Sequence, residues 1–401
     1  MFHPDSHLNK HGFFEVGDRK FYSKLDAIQH SVQTGTTVEW NFNNEVYQSL
    51  DWTVEPAESI RELYAQRARA LREKYDYLVC MFSGGSDSTT VLQTFIDNDI
   101  PVDEIFMNYW PKGCADSFMN HEMTNAALPF IENNVPKSWN CRIRLYDYTD
   151  WVLECLRSPD HRQRSYREVN NVHNLSMISV WKDLQYRFPD YMKLHDQGKS
   201  IAFIWGEAKP HIDYDEISQK HFFFFEDHYA HAPQPRDQEA NDLRCNHEQF
   251  YNDPEHASIK VKQAHLLLQT LKQVAHRRDI FVSKQQVTDG IYTGPRGFKI
   301  KDSRGCLAHT YYNNEHFTLD RNAFNCSIYP SWNFLTYHED KQAGRLIHPA
   351  HAWIGDRAPA AAKDWFTGYI KTYGALPEAW TRHRGSLEQG LKRLQIKYYL
   401  E

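Results

Sequence analysis

The sequence predicts an α/β fold: a doubly wound parallel sheet, with a small N-terminal unit before it and a mixed, helix-rich C-terminal region after it. Three observations predict this. Short apolar runs rich in strand formers alternate with helical patterns between residues 58 and 210, and such alternation implies parallel strands covered on both faces. The first run of that series, Tyr77-Leu78-Val79-Cys80-Met81-Phe82, is halted by a glycine turn and followed at once by a helical pattern. The composition, 41% hydrophobic and 24% charged over 401 residues, is that of a chain able to bury a core rather than of a disordered one.

Taken in order, residues 1–57 alternate Phe13-Phe14, Phe21-Tyr22 and Val38–Phe42 with the turn residues Gly35 and Asn43-Asn44, which predicts a small strand-containing unit. From Ser59 the pattern turns helical. Ile60, Leu63, Tyr64 and Leu71 share a face, and Ser59 with Glu62 has the spacing of a capping box, in which each side chain satisfies an orphan backbone N–H. That helix is expected to end near Tyr75. Strand Tyr77–Phe82, a loop from Ser83 and a helix over Thr89–Asp97 follow. Glu104–Asn108 and Arg142–Tyr146 are the next strands, with a helix around Glu122–Glu132 between them. A helix over Val172–Leu184 then precedes the apolar strand Ile201–Trp205, which stops at Gly206. Pro210 closes this middle domain, and residues 211–401 form the third part. There His221–Phe225 reads as a buried strand and Ala232–Asp237 as a loop. Helices are expected at Ser258–Arg277 and Ser386–Tyr398, the latter on the spacing of Leu387, Leu391, Leu394 and Tyr398.

Composition removes several functional classes. Lys and Arg number 46 against 52 Asp and Glu, a formal net charge of −6, so no overall basic surface marks a nucleic-acid binder. The seven cysteines are scattered with no CxxC pair, which fits neither a disulfide framework nor a zinc cluster and suits a reducing cytoplasm. The N-terminus lacks the basic and apolar regions of a secretory signal. No apolar run approaches the roughly 20 residues that cross a bilayer, so no membrane partner is expected.

Chemistry concentrates in Ser83-Gly84-Gly85-Ser86-Asp87-Ser88-Thr89. A glycine pair after a strand lets the backbone turn sharply, and the helix that follows offers its N-terminal donors and positive dipole end to an anion. The hydroxyls of Ser83, Ser86, Ser88 and Thr89 add donors, and Asp87 supplies a carboxylate to hold Mg²⁺ against phosphate oxygens. A Walker A loop would need a lysine after the last glycine. The segment Gly198-Lys199-Ser200 imitates one, but Lys193 stands where its first glycine belongs and a strand follows instead of preceding it.

Phe82-Ser83-Gly84-Gly85-Ser86-Asp87-Ser88 resembles the SGGxDS loop of the N-type ATP pyrophosphatases, the PP-loop branch of the adenine nucleotide alpha-hydrolase-like proteins, over roughly residues 58–210. As a whole the chain is similar to phage-type PP-loop proteins of the reductase-like or asparagine-synthetase-like kind. The resemblance implies ATP and Mg²⁺ as cofactors. The loop would grip the β- and γ-phosphates while an acceptor oxygen attacks the α-phosphate, releasing pyrophosphate and leaving an adenylated acceptor for a nucleophile to displace. It also implies that Asn108 and Tyr109, at the end of the second strand, lie by adenine or ribose. The acceptor is expected to be a small molecule or RNA, recognised by the C-terminal region.

Further candidates follow from position. If Ile201–Trp205 neighbours Tyr77–Phe82 where the strand order reverses, then Gly206-Glu207-Ala208-Lys209 borders the loop. Glu207 is then a candidate Mg²⁺ ligand and Lys209 a candidate for offsetting α-phosphate charge; as solvated turn residues they would do neither. Lys262 and His265, three apart on a helix, project together, either as a candidate substrate-facing pair or as the polar flank of a buried helix, and Tyr329–Trp332 with Lys341 form another aromatic and basic patch open to the same two readings. Cys306 and His309 have the Cys-to-His spacing of the phosphoadenylyl-sulfate reductases, but Gly305 and Leu307 depart from their pattern; reduction or sulfur transfer at Cys306 is the alternative. His228 with His231, and His348 with His351, are read as loop histidines. A non-catalytic nucleotide-binding module, with Arg382, Arg384, Lys392, Arg393 and Lys397 as a basic face, is the remaining alternative.

Overall fold

The computed structural model describes residues 12–21, 27, 30, 31, 33–84, 86–109, 123–147, 188–206, 211–215, 217–225, 246–274 and 396–401. The N-terminal strands are β1 (Phe13–Val16), β2 (Arg19–Phe21) and β3 (Val38–Asn41), an antiparallel sheet in the order β2-β1-β3, followed by the short helix α1 (Asn44–Gln48). Helix α2 (Ile60–Lys74) starts on the predicted box: Glu62 N–H donates to Ser59 Oγ at 3.2 Å, and Ser59 N–H donates to Glu62 Oε2 at 2.7 Å. Its buried stripe of Ile60, Leu63, Tyr64, Ala68 and Leu71 has the helical period.

Strand β4 (Tyr77–Met81) leads through the loop into α3 (Ser86–Asp97), which begins three residues before the predicted Thr89. Strand β5 (Glu104–Asn108) comes next. The expected helix around Glu122–Glu132 is a π-helical turn, Met123–Ala127, running into α4 (Leu128–Asn134). Then follow β6 (Arg142–Tyr146), α5 (Pro189–Asp196) and β7 (Ile201–Trp205), whose five residues are all buried. The expected helix Val172–Leu184 and loop Ala232–Asp237 lie outside the described residues. Beyond these, β8 (His211–Asp215) and β9 (Lys220–Phe224) form a hairpin, β10 (Asn246–Gln249) precedes α6 (Ser258–Val274), and β11 (Tyr398–Tyr399) ends the chain.

The central sheet has five strands in the order β10-β7-β4-β5-β6, every pair parallel. From β4 the chain steps outward to β5 and β6, returns to β7 on the other side of β4, and ends at β10. The reversal falls between β4 and β7, where Met81 lies opposite Trp205. This is an α/β protein with a five-stranded parallel sheet flanked by helices, an arrangement compatible with a doubly wound fold. The sheet corrects the boundary expected at Pro210, because its fifth strand and α6 come later. β7 is buried on both faces and both edges and so needs a second neighbour, while Asn246-His247-Glu248-Gln249 has no apolar signal to announce it.

Arg67 explains how such a strand is held. Fully buried on α2, its guanidinium pairs with Glu248 and with Asp253, each at 2.8 Å, and Tyr75 Oη also donates to Glu248. On the opposite face, buried Glu104 accepts from Tyr77 Oη at 2.9 Å, from Tyr191 Oη of α5 at 2.7 Å and from Arg144.

The N-terminal strands are not a separate unit. Phe14, Trp40, Phe42, Tyr47 and Trp52 share one core with Phe223, Phe225, Val261, Leu267, Tyr398 and Leu400. Trp52 stacks on Phe223 at 4.9 Å, and Tyr47 packs on Phe225 at 4.4 Å. His221–Phe225 thus supplies the buried strand that was expected. The last predicted helix is corrected at its end: Tyr398 pairs with Phe223 in an antiparallel bridge between β11 and β9, since β9 offers an open edge; residues 386–395 lie outside the described set. Among the described residues no helix is long and apolar enough to cross a membrane.

Candidate functional site at the strand-order reversal

β4 delivers Ser83 and Gly84 to the carboxyl edge of the sheet, at the reversal. Ser83 N–H donates to Ser88 Oγ at 3.1 Å, and the two hydroxyl oxygens lie 3.0 Å apart. The Ser88 hydroxyl therefore braces the loop from within. Gly84 has φ +80°, in the left-handed region, and a β-carbon there would stand 2.8 Å from Ala127 Cβ and 2.9 Å from Ala127 N. Only glycine fits between the end of β4 and the turn before α4. Gly85 and the Ser86 side chain lie outside the described set, while Ser86 opens α3 and Thr89, half-buried, completes its first turn.

Gly206 shows that β7 reaches the same place. A β-carbon on it would lie 2.8 Å from Val91 Cγ2 and 3.1 Å from the Asp87 carbonyl oxygen and Ser88 Cα. The end of β7 thus rests on the first turn of α3, as the predicted adjacency of the two strands requires. Gly206 is a glycine because backbone meets backbone there.

Asp87, partly exposed in the first turn of α3, has a partner that the sequence did not reveal. Tyr251 Oη donates to its carbonyl oxygen at 2.7 Å. Lys260, in the first turn of α6 and fully buried, interacts electrostatically with its carboxylate. Burial drives the Lys260 ammonium well below the usual lysine pKa, and Asp87 opposes that shift. The one signal in the sequence was a lysine between Ile259 and Val261 on an apolar helix.

Lys262 and His265 do project together, but onto the N-terminal segment. Lys262 Nζ donates to the Pro56 carbonyl at 2.9 Å and pairs with Glu55 at 2.7 Å, and His265 Nε2 bonds the Trp52 carbonyl at 2.9 Å. They fasten residues 52–56 to α6, which corrects the expectation that they face substrate. Lys397, expected on a basic face, pairs with Asp215 at 2.9 Å. Glu207, Lys209, Lys341, Cys306, His309, Arg382, Arg384, Lys392 and Arg393 lie outside the described residues, as do Tyr329–Trp332 and the histidines at 228, 231, 348 and 351.

Asn108 ends β5 beside the loop, where the register of Met81 with Phe106 carries it level with Ser83. Its Oδ1 is buried and has no hydrogen-bond partner among the described residues. Buried acceptors are nearly always paired, so a donor from a bound molecule suits this position. Burial raises the Cys80 thiol far above the ordinary thiol pKa and pushes Cys141 up to about 12. Among the described residues no three His, Cys, Asp or Glu side chains gather to hold a metal. A divalent cation at Asp87 would therefore share that carboxylate with oxygens of a bound anion.

Fold and site together define a parallel α/β protein whose glycine loop, helix start and strand end converge where the strand order reverses. No protein-family model matches the chain, and no curated protein matches it.

Proposed function

We propose that the chain is a Mg²⁺-dependent enzyme of the ATP pyrophosphatase type, one that adenylates an acceptor and releases pyrophosphate. One observation carries the reading: the Ser83-Gly84 turn opens at the carboxyl end of β4, at the strand reversal, with Gly206 of β7 packed on the helix start beside it. Ligands of open parallel sheets bind at such reversals, and anions bind at such helix starts. The resemblance of Phe82–Ser88 to the PP-loop supports the same nucleotide, and the unpaired Asn108 acceptor suits a donor from its adenine or ribose.

Bound ATP would supply an activated α-phosphorus and pyrophosphate as leaving group. The chain's residues divide the remaining work. Ser83, Gly84 and the first turn of α3, with Gly85, Ser86 and Thr89, cradle the pyrophosphate portion. Asp87 holds Mg²⁺ against it, while Ser88 keeps the cradle closed. Glu207 and Lys209 follow Gly206 in the chain and are assigned to the metal and to the α-phosphate charge. The acceptor is a small molecule or RNA.

The test is product analysis. Protein given Mg²⁺, ATP and pools of metabolites or RNA is expected to form AMP and pyrophosphate in equal amounts, and Asp87→Asn to abolish both. ADP and phosphate as products, or no ATP binding at all, would overturn the proposal. Binding without cleavage in any pool would favour the non-catalytic module instead.

A further inference from the structure

Two side-chain hydrogen bonds reach the site from one short segment, β10 and the residues just after it. Trp205, the last residue of β7, donates its indole N–H to His247 Nδ1 at 3.0 Å, and both side chains are buried. His247 lies across the register from Phe203, so its ring reaches diagonally to the indole, stacked on Phe203 at 5.1 Å and on Trp205 at 5.9 Å. The backbone repeats the connection, because Phe250 N–H donates to the Trp205 carbonyl at 2.9 Å. One residue on, fully buried Tyr251 donates its hydroxyl to the Asp87 carbonyl at 2.7 Å, with its ring packed on Phe250 at 5.2 Å and on Tyr64 at 5.4 Å. Residues 247–251 therefore bond both to the end of β7 and to the first turn of α3, the two elements that meet at Gly206.

Resting on the nucleotide reading above, we infer that His247 and Tyr251 are positioning residues for the anion site, which together fix how far the end of β7 stands from the start of α3. Neither is assigned a contact with the ligand. To accept from the indole, His247 Nδ1 must carry a lone pair and no proton. The bond fixes Trp205, and Trp205 carries Gly206, which already lies so close to α3 that a β-carbon on it would stand 3.1 Å from the Asp87 carbonyl oxygen. That same oxygen takes the Tyr251 hydroxyl. Both bonds thus set one spacing, and an anion bound at the strand reversal lies beside both elements. Such sites need their donors held within about 0.5 Å, which is the task of supporting hydrogen bonds.

The test uses substitutions that keep a ring and remove its bond. Tyr251→Phe and His247→Phe should each weaken the binding of inorganic pyrophosphate, measured by calorimetric titration, on the order of fivefold. Because the two bonds set one spacing, the double variant should lose little beyond either single one; losses that simply multiply would overturn the shared role. His247→Asn, which restores an acceptor near the position of Nδ1 without the ring, should bind pyrophosphate better than His247→Phe. The Trp205 indole N–H proton should likewise keep its hydrogen-bonded NMR shift in the Asn variant and lose it in the Phe variant. A histidine needed only for stacking would reverse that order, and a reversed order, or wild-type affinity in both Phe variants, would overturn the inference. Should His247→Phe fail to fold, Tyr251→Phe decides alone, weaker binding supporting the inference and unchanged binding overturning it. Failure of the nucleotide reading looks different: wild type would bind neither pyrophosphate nor ATP, and this inference would fall with it, whereas wild-type binding that both variants match removes this inference alone.

Discussion

The core under the parallel sheet and the core beneath the N-terminal strands differ in material and in origin. The first is largely aliphatic, drawn from successive segments between Ile60 and Ile131 and completed by β7 and the start of α6. It is also the one pinned by a buried guanidinium. The second is aromatic, with Phe14, Trp40, Phe42, Tyr47, Trp52, Phe223, Phe225 and Tyr398 in contact, and its members come from four stretches far apart in the chain. Helix α6 belongs to both, giving Ile259 to one and Val261, Ala264, Leu267 and Leu268 to the other. The difference teaches that the site rests on the core with the larger share of near-sequence contacts, while the second core joins segments that lie far apart in the chain throughout.

The largest effect should come from the charge that locks β10 to the first core. Arg67→Met removes the buried guanidinium that Glu248 and Asp253 share, and denaturant unfolding should show a loss of about 4 kcal/mol. A loss below about 1 kcal/mol would mean that the pairs do not hold the fifth strand. In the second core, Phe223→Ala removes the ring stacked on Trp52 and should cost about 3 kcal/mol, with a change in tryptophan emission. Pyrophosphate binding should persist at temperatures where this variant remains folded; its loss would show that the two cores act as one.

Gly84→Ala tests the site rather than either core. The left-handed backbone and the contact with Ala127 predict a cost of about 2 kcal/mol and loss of pyrophosphate binding. Ser59→Ala removes half of the capping box and should cost about 1 kcal/mol, measured by thermal unfolding. The smallest effect concerns the end of the chain. Hydrogen bonds from Lys397 and Tyr399 hold Asp215 well below the usual carboxylate pKa. A depressed folded pKa contributes stability above the unfolded value, and that contribution is lost as pH falls through the folded one. Amide exchange at Tyr398–Leu400 should therefore accelerate below about pH 4, and Asp215→Asn should show the same acceleration at neutral pH. An unchanged exchange rate would mean that β11 is held by its rings alone.

Much of the first core was legible. Ser59 and Glu62 make their box because capping depends on residues three apart. The run Tyr77–Phe82, the turn at Gly84 and the helix after it form as expected, and Ile201–Trp205 lies beside Tyr77–Met81. Polar strands were not legible. Asn246–Gln249 has no periodicity to read, since its burial is compensated by Arg67 from α2 rather than by apolar side chains. The spacing of Leu387, Leu391, Leu394 and Tyr398 suggested helix through Tyr398, yet the edge of β9 takes Tyr398 and Tyr399 as a strand. Lys262 and His265 were rightly placed on one side of a helix, but what that side met lay some 210 residues away in the chain, at Trp52 and Pro56.

By itself the sequence determined the strand, the glycine turn and the helix at residues 77–97, because each depends on near neighbours: apolar runs, a residue type that tolerates positive φ, and a helical repeat. Tertiary structure alone decided that β7 ends on the first turn of α3, that β10 completes the sheet, that Tyr251 bonds the Asp87 carbonyl, and that the first and last strands share an aromatic core. Those outcomes depend on which distant surfaces exclude water together, and no local pattern carries that information.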